Sequence, residues 1–124
     1  MKRDMELVRK ILLKIEESNT YDEPIDIEIE GYTQSSINFH VAIMKQGGLV
    51  ELFGNPIATF DSSTSYFPSR LTWQGCEFLD ASRNENVWQR ALKTIKEKGG
   101  GVAFEVIKAL LIQYAKEELS ISSR

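Results

Sequence analysis

The sequence predicts an α+β fold with one hydrophobic core and a helical segment added at its C-terminus. Apolar residues recur at helical spacing in several stretches, and short β-like runs bounded by turn residues lie between them. The chain has 124 residues, of which 42% are hydrophobic. This length is sufficient for one hydrophobic core and too short for two. We therefore predict a core over residues 1–83. Residues 84–124 would form a helical extension that packs on the core or forms a dimer interface.

The first predicted elements are a helix over residues 4–18 and a strand over residues 25–30. The helix has an apolar stripe at three- and four-residue spacing, made by Met5, Leu7, Val8, Ile11, Leu12 and Ile15. In "IDIEIE" isoleucine alternates with acidic residues, a pattern typical of a half-buried strand with its acidic face in water.

A second helix is predicted next, with a cap at Thr33, Ser35 or Ser36. Ile37, Val41 and Met44 lie on one side of it. The Gly-Gly pair at residues 47–48 ends it, because glycine readily adopts the left-handed conformation of a helix end.

The rest of the chain reads as strands followed by helices. "LVELF" and "IATF" are strand-like and are separated by the turn signal "GNP", while "DSSTSYFPS" reads as a polar loop. "RLT" begins as a strand, and Thr72 is suited to cap the helix that follows. Two amphipathic helices are predicted over residues 85–98 and 103–119, with the glycines of residues 99–101 as a flexible joint.

The order helix, strand, helix, hairpin, helix is that of a winged helix, a helix-turn-helix variant in which a β-hairpin, the wing, follows the recognition helix. "FHVAIMKQGGLVEL" resembles the winged-helix phrase that leads from recognition helix to wing. "RLTWQGCEFLD" resembles the segment in which the last wing strand ends and a new helix begins. One departure is that the residues between the first two helices leave little room for a full middle helix.

Nearly the whole chain also resembles an uncharacterised bacterial and phage family, a domain of unknown function. The resemblance runs through "MKRDMELVRKIL", "EGYTQSSINFHVAIMKQGGLVE", "LTWQGCEFLDASRNENVW" and "GGGVAFEVIKALL". It implies a winged-helix-like core in a small protein often found in phages and prophages, and it implies no known activity.

Composition restricts the setting and the partners. The formal net charge is -3, without the overall basicity that many nucleic-acid-binding domains show. The single cysteine, Cys76, cannot form an internal disulfide, which favours a reducing compartment. No stretch reaches the roughly 20 apolar residues of a membrane span. We therefore expect a cytoplasmic protein without membrane contact.

Residues suited to catalysis or metal binding are scarce. His40 is the only histidine, and its position in an amphipathic helix favours a structural role. One histidine and one cysteine cannot form a zinc site. The acidic residues between positions 22 and 30 fit the solvent side of a strand better than a calcium loop. We expect no enzyme activity, no metal and no cofactor.

Binding to double-stranded DNA is the leading hypothesis. Opposite the apolar side of the second helix lie the predicted base-facing residues Gln34, Ser35, Asn38 and Lys45. Phosphate contacts are predicted from Arg9, Lys10 and Arg70. No lysine or arginine lies between Glu51 and Asp61, so the wing itself would gain little from phosphate neutralisation.

The alternative hypothesis is a module that binds and modulates a host protein. Phe60, Tyr66 and Phe67 would then be exposed aromatic anchors, although packing of these rings on the core is the simpler interpretation. Trp73 and Trp88 are both predicted to lie in the core. A homodimer through the C-terminal helices would cover their apolar stripe.

Overall fold

The computed structural model describes residues 2–18, 20, 22–58, 64–99 and 103–122, and it shows an α+β fold. In chain order its elements are α1 (Met5–Glu17), α2 (Gln34–Gln46), β1 (Val50–Leu52), β2 (Ile57–Ala58), β3 (Thr64–Ser65), β4 (Pro68–Leu71), α3 (Trp73–Ser82), α4 (Glu85–Glu97) and α5 (Phe104–Ser122). The chain divides into two compact units, Met1–Cys76 and Glu77–Arg124. The predicted boundary at residues 83–84 follows the end of α3, whereas the division between these units falls within that helix.

Helix α1 forms as its sequence predicts. The Asp4 carboxylate caps it by accepting from the backbone N–H of Glu6 at 2.9 Å and of Leu7 at 3.3 Å. The predicted stripe is buried at Leu7, Val8, Ile11, Leu12 and Ile15. This helix therefore contributes one continuous apolar face to the core of the first unit.

The strand predicted over residues 25–30 is not formed. The Ile25 N–H donates to the Pro68 carbonyl at 2.9 Å. Within the described residues, residues 26–28 form no further backbone hydrogen bonds with β4, so no strand pairing develops. The alternation still shows in burial, because Ile27 is buried while Asp26 and Glu28 are exposed. The pattern thus predicted correctly which side chains face the core, and it was wrong about strand pairing, which needs a second backbone in register.

Helix α2 matches its predicted boundaries. Among the predicted caps it is the Thr33 hydroxyl that accepts from the Ser36 N–H, at 3.1 Å. Ile37, Val41 and Met44 are buried as predicted. The helix ends at Gly47, and Gly48 follows with φ of +79°, a conformation that glycine adopts without steric cost.

The strands form two small antiparallel pairs within the described residues. β1 pairs with β4, aligning Val50 with Leu71, and the register shifts after Glu51. β2 pairs with β3, which lies in the stretch predicted as a polar loop. That prediction was wrong for residues 64–65 and 68–69, where partner strands override a local sequence rich in serine.

Helix α3 begins where the sequence predicts, and its first turn lies close to Leu49, the residue before β1. The Thr72 hydroxyl accepts from the Gly75 N–H at 3.0 Å, and the Thr72 N–H donates to the Leu49 carbonyl at 3.0 Å. Gly75 lies so close to this carbonyl that a Cβ built on it would be 2.1 Å from the Leu49 oxygen. Trp73 was wrongly predicted to be buried: it is 76% exposed, because it lies about 200° around the helix from Gly75.

The second unit is built around α4 and α5. Trp88 is fully buried, as predicted, and the Phe78 ring meets it edge-on at 6.2 Å between centroids. Ile107, Leu111 and Tyr114 of α5 are buried, and the Tyr114 and Thr94 hydroxyls are hydrogen-bonded at 2.9 Å.

The predicted homodimer through the C-terminal helices stays a prediction. No helix in the described part of the chain combines the length and the apolarity that crossing a membrane requires.

An exposed ion pair also joins α4 to α5 in this unit. Arg90 donates to the Glu117 carboxylate, and its guanidinium lies 3.9 Å from the centre of the Tyr114 ring. The hydrogen bond from Arg90 lowers the pKa of Glu117 below its usual value.

Candidate binding surface

The exposed side of α2 presents the predicted base-facing residues. Gln34, Ser35 and Lys45 are exposed and Asn38 is half-buried, as expected from the burial of Ile37 on the other side. The Gln34 side-chain amide donates to the Asn38 side-chain carbonyl at 3.2 Å. This bond fixes the two amides relative to each other and leaves the Gln34 carbonyl oxygen and the Asn38 NH₂ outside it.

A hollow of about 280 Å³ lies beside this face, and we call it the α2 hollow. It is lined by residues from three parts of the first unit: residues 25–28, the start of α2, and residues 65–67. Gln34 and Asn38 line it together with Tyr66 and Phe67. The structure therefore places two of the candidate DNA-reading residues and two of the candidate protein-interface residues around one cavity.

Two carboxylate residues, Asp26 and Glu28, also line the α2 hollow. Both are exposed because Ile27 between them is buried, so the chain must present them to solvent. Of the candidate lysines and arginines, none is among the lining residues. The ionised groups at this surface therefore give it a negative potential.

The three predicted phosphate-contacting residues lie elsewhere on the first unit. On β4, Arg70 forms an exposed ion pair with Glu51, at 2.9 Å between its terminal nitrogen and the carboxylate. Lys10 lies over the Tyr32 ring, with its ammonium 5.5 Å from the ring centre, and Arg9 is half-buried on α1. Lys45 is at the C-terminal end of α2, away from the residues that line the hollow.

Two of the three predicted protein-interface aromatics, Tyr66 and Phe67, line the α2 hollow. Tyr66 and Phe67 are half-buried, so each presents part of its ring to the α2 hollow while the rest packs against the protein. Phe60 lies outside the described residues. Two further apolar side chains, Phe53 and Ile57, are 48% and 55% exposed near the hairpin.

A cluster of hydrogen bonds around the buried His40 ties α2 to the start of α1. The His40 ring accepts at Nε2 from the Asp4 N–H at 2.8 Å and donates from Nδ1 to the Ser36 carbonyl at 2.8 Å. The second bond follows from the first, since a ring nitrogen that accepts from an N–H carries no proton. His40 is 1% exposed, and it is not among the residues that line the α2 hollow.

Tyr32 completes this cluster in the turn before α2. Its hydroxyl donates to the Asp4 carboxylate at 3.4 Å. Burial raises the pKa of Tyr32, and the nearby Asp4 carboxylate raises it further, because both disfavour the phenolate. These contacts fix the position of the helix that presents Gln34 and Asn38.

The described residues offer few groups suited to catalysis or metal binding. Within the described ranges, no three His, Cys, Asp or Glu side chains lie close enough to hold a metal ion. Cys76 is exposed, and both ring nitrogens of His40 are used in structural hydrogen bonds. The volume of the α2 hollow, about 280 Å³, is close to the lower end of the roughly 300–1,000 Å³ of typical small-molecule sites and is enough for one or two side chains.

Sequence reasoning did not include Asp26 and Glu28 in a binding surface. The alternation of "IDIEIE" did indicate that they are exposed, and their position shortly before α2 was also visible. Only the folded chain brings residues 25–28 opposite residues 65–67, because these segments are far apart in sequence.

A family model described as "Hypothetical protein (DUF2513)" matches residues 2–101. The chain belongs to the DUF2513 family. A relative from Haemophilus influenzae, described as an "Uncharacterized protein", is 32% identical over 109 residues, which cover 87% of this chain and 90% of the relative. No solved structure matches the chain. The α2 hollow of this DUF2513 protein lies entirely within the residues that the family model matches.

Proposed function

We propose that this protein is a non-catalytic binding protein that recognises another protein through the α2 hollow. The observation that supports this best is the set of side chains around one cavity: Tyr66 and Phe67 with the carboxylates of Asp26 and Glu28. Aromatic side chains are enriched among the residues that contribute most to protein interfaces.

The charge at this surface favours a protein over a nucleic acid. A DNA duplex presents a dense row of phosphates. Proteins normally gain affinity for it when lysine or arginine neutralises phosphates and counterions are released. A phosphate near Asp26 or Glu28 is instead repelled by the carboxylate. The ion pair of Arg70 with Glu51 reduces what that cation would contribute. A protein partner meets neither cost.

The winged helix is the finer fold that we propose for the first unit. The succession of α2, the β1–β4 hairpin and α3 supports it, as does the tight Gly47–Gly48 exit from α2. A phage or prophage accessory protein that modulates a host protein fits both this scaffold and the sequence resemblance.

Binding to double-stranded DNA is the second candidate. It is favoured by the exposed row of Gln34, Ser35 and Lys45 on α2, with Asn38 beside it, since amides and lysines on a recognition helix can contact base edges. On this proposal the attraction of Lys45 and the basic residues of α1 for phosphates would exceed the repulsion from the acidic residues of the hollow.

Capture from bacterial lysate, with and without nuclease, tests the two candidates. We expect a stoichiometric protein that survives nuclease and is lost with Tyr66→Ala, while Lys45→Glu has no effect. Phe53→Ala is the matched control, because Phe53 is an exposed aromatic outside the hollow. Retention that disappears with nuclease, weakens steeply with salt and is lost with Lys45→Glu would instead establish DNA binding.

A further inference from the structure

We infer that the α2 hollow binds an extended segment of the partner protein in which lysine or arginine alternates with apolar residues. This inference rests on the proposed function, since it specifies the partner chemistry for the same surface. It draws on the backbone of residues 26–28, the charge of the hollow and the size of its apolar part.

The backbone of residues 26–28, beside the hollow, has N–H and C=O groups that are not used in backbone hydrogen bonds within the described part of the chain. Ile25 is tied to β4 through Pro68, and the next backbone bond of this segment joins the Tyr32 N–H to the Ile29 carbonyl. Between them, within the described part of the chain, the N–H and C=O groups of Asp26, Ile27 and Glu28 have no backbone partner. An extended peptide can pair with such a segment as an added strand.

The side chains of the same segment select for positive charge. Asp26 and Glu28 are two positions apart, so in an extended backbone they project to the same side, roughly 7 Å apart along the chain. A peptide strand that pairs with them has the same repeat, so residues at alternate positions face the two carboxylates. Lysine or arginine at these positions is therefore favoured over neutral or acidic residues.

The apolar part of the hollow accommodates the intervening residues. Ile37 lines it and is 2% exposed, while Tyr66 and Phe67 present partly exposed rings. A volume of about 280 Å³ accepts one or two apolar side chains. Alternation of basic and apolar residues in the partner thus complements both parts of the surface.

Selection from a displayed library of random peptides, each about ten residues long, tests the inference on the full chain. The best peptide is then measured by fluorescence anisotropy against three proteins: the wild type, Asp26→Asn/Glu28→Gln, and Glu97→Gln/Glu105→Gln. The last variant is the matched control, because it removes the same charge from exposed positions of α4 and α5. A peptide N-methylated at alternate backbone amides tests for strand pairing.

The inference predicts enriched peptides with lysine or arginine at alternate positions. We expect the Asp26→Asn/Glu28→Gln variant to bind about tenfold more weakly, as two partly exposed charge pairs imply, and the control to bind like the wild type. N-methylation should weaken binding at least as much. Four results would overturn the inference. The enriched peptides lack basic residues, or no peptide is enriched at all. Alternatively, both variants bind the peptide equally, or a duplex DNA displaces it.

The results separate this inference from the function on which it rests. Neutral or acidic peptides that bind and are lost only with Tyr66→Ala would refute the charge preference and retain the hollow as a protein-binding site. If no peptide is enriched, and the protein captured from lysate is equally retained by wild type and Tyr66→Ala, both proposals fail.

Discussion

Replacing Gly75 with alanine should destabilise the first unit. The new Cβ would lie 2.1 Å from the Leu49 oxygen and 3.1 Å from its carbonyl carbon. This carbonyl cannot move freely, because it also accepts the Thr72 N–H at 3.0 Å. Either α3 or the backbone at Leu49 must therefore shift by about 1.3 Å, the difference between this 2.1 Å contact and an ordinary one of 3.4 Å.

The magnitude follows from two opposing effects. Overpacking of this kind typically costs about 1–3 kcal/mol, and here the obstacle is backbone, so the upper end applies. Alanine recovers about 1 kcal/mol relative to glycine within a helix. We expect a net loss of about 2 kcal/mol in the free energy of unfolding. For a chain of this size that corresponds to a fall in Tm of roughly 6–10 °C.

Gly47→Ala is the matched control. Gly47 has φ of -79°, which alanine adopts readily, and a Cβ there meets its nearest atom at an ordinary 3.4 Å. Urea unfolding followed by circular dichroism, with tryptophan fluorescence as a second probe, measures both variants. Gly47→Ala should stay within about 0.5 kcal/mol of the wild type. Equal stability of the two variants would refute the close approach of Gly75 to Leu49.

The remaining predictions concern buried and ionised groups. His40→Ala should lower the free energy of unfolding by about 3 kcal/mol, because it leaves a cavity and removes the acceptor of the Asp4 N–H. Amide hydrogen exchange should then be faster at the start of α1, and unchanged protection there would contradict this prediction. The raised pKa of Tyr32 means that the unfolded chain loses this proton first, so stability falls as the pH rises above about 10, and Tyr32→Phe should reduce this alkaline loss in urea titrations. The lowered pKa of Glu117 acts in the opposite direction: its stabilisation is present above the usual value and is lost as the pH falls, so Glu117→Gln should show a weaker acid dependence. If Arg90→Gln abolished no part of that dependence, the cause assigned to this shift would be wrong.

The helices were predictable because their signals are local. Asp4, Thr33, Thr72 and the Gly-Gly pair at residues 47–48 act on the backbone within a few residues of themselves, and the apolar stripes between them specify which face is buried. These signals predicted the core of α1 and α2, and Trp88, as the structure has it. Trp73 was misjudged because its residue type favours burial, whereas its exposure depends on which side of α3 faces Leu49, and that side carries Gly75.

Strand pairing and the candidate site needed contacts between distant residues. "IDIEIE" has a strand pattern, but a strand requires a partner backbone in register, and β4 meets this segment only at Ile25. Conversely, residues 64–65 read as loop and pair with β2. No local signal could place Tyr66 and Phe67 across a cavity from Asp26 and Glu28.

By itself the sequence determined the α+β class, the helices with their caps, the buried faces and the exposure of the acidic residues before α2. These follow from side-chain periodicity and short-range hydrogen bonds, which act within a few residues along the chain. The tertiary structure alone decided which backbones pair, that Trp73 lies in solvent, and that Gln34 and Asn38 share the α2 hollow with two aromatic and two acidic residues. Those features depend on how separate segments pack against one another, and the free energy of that packing belongs to the whole fold rather than to any one segment.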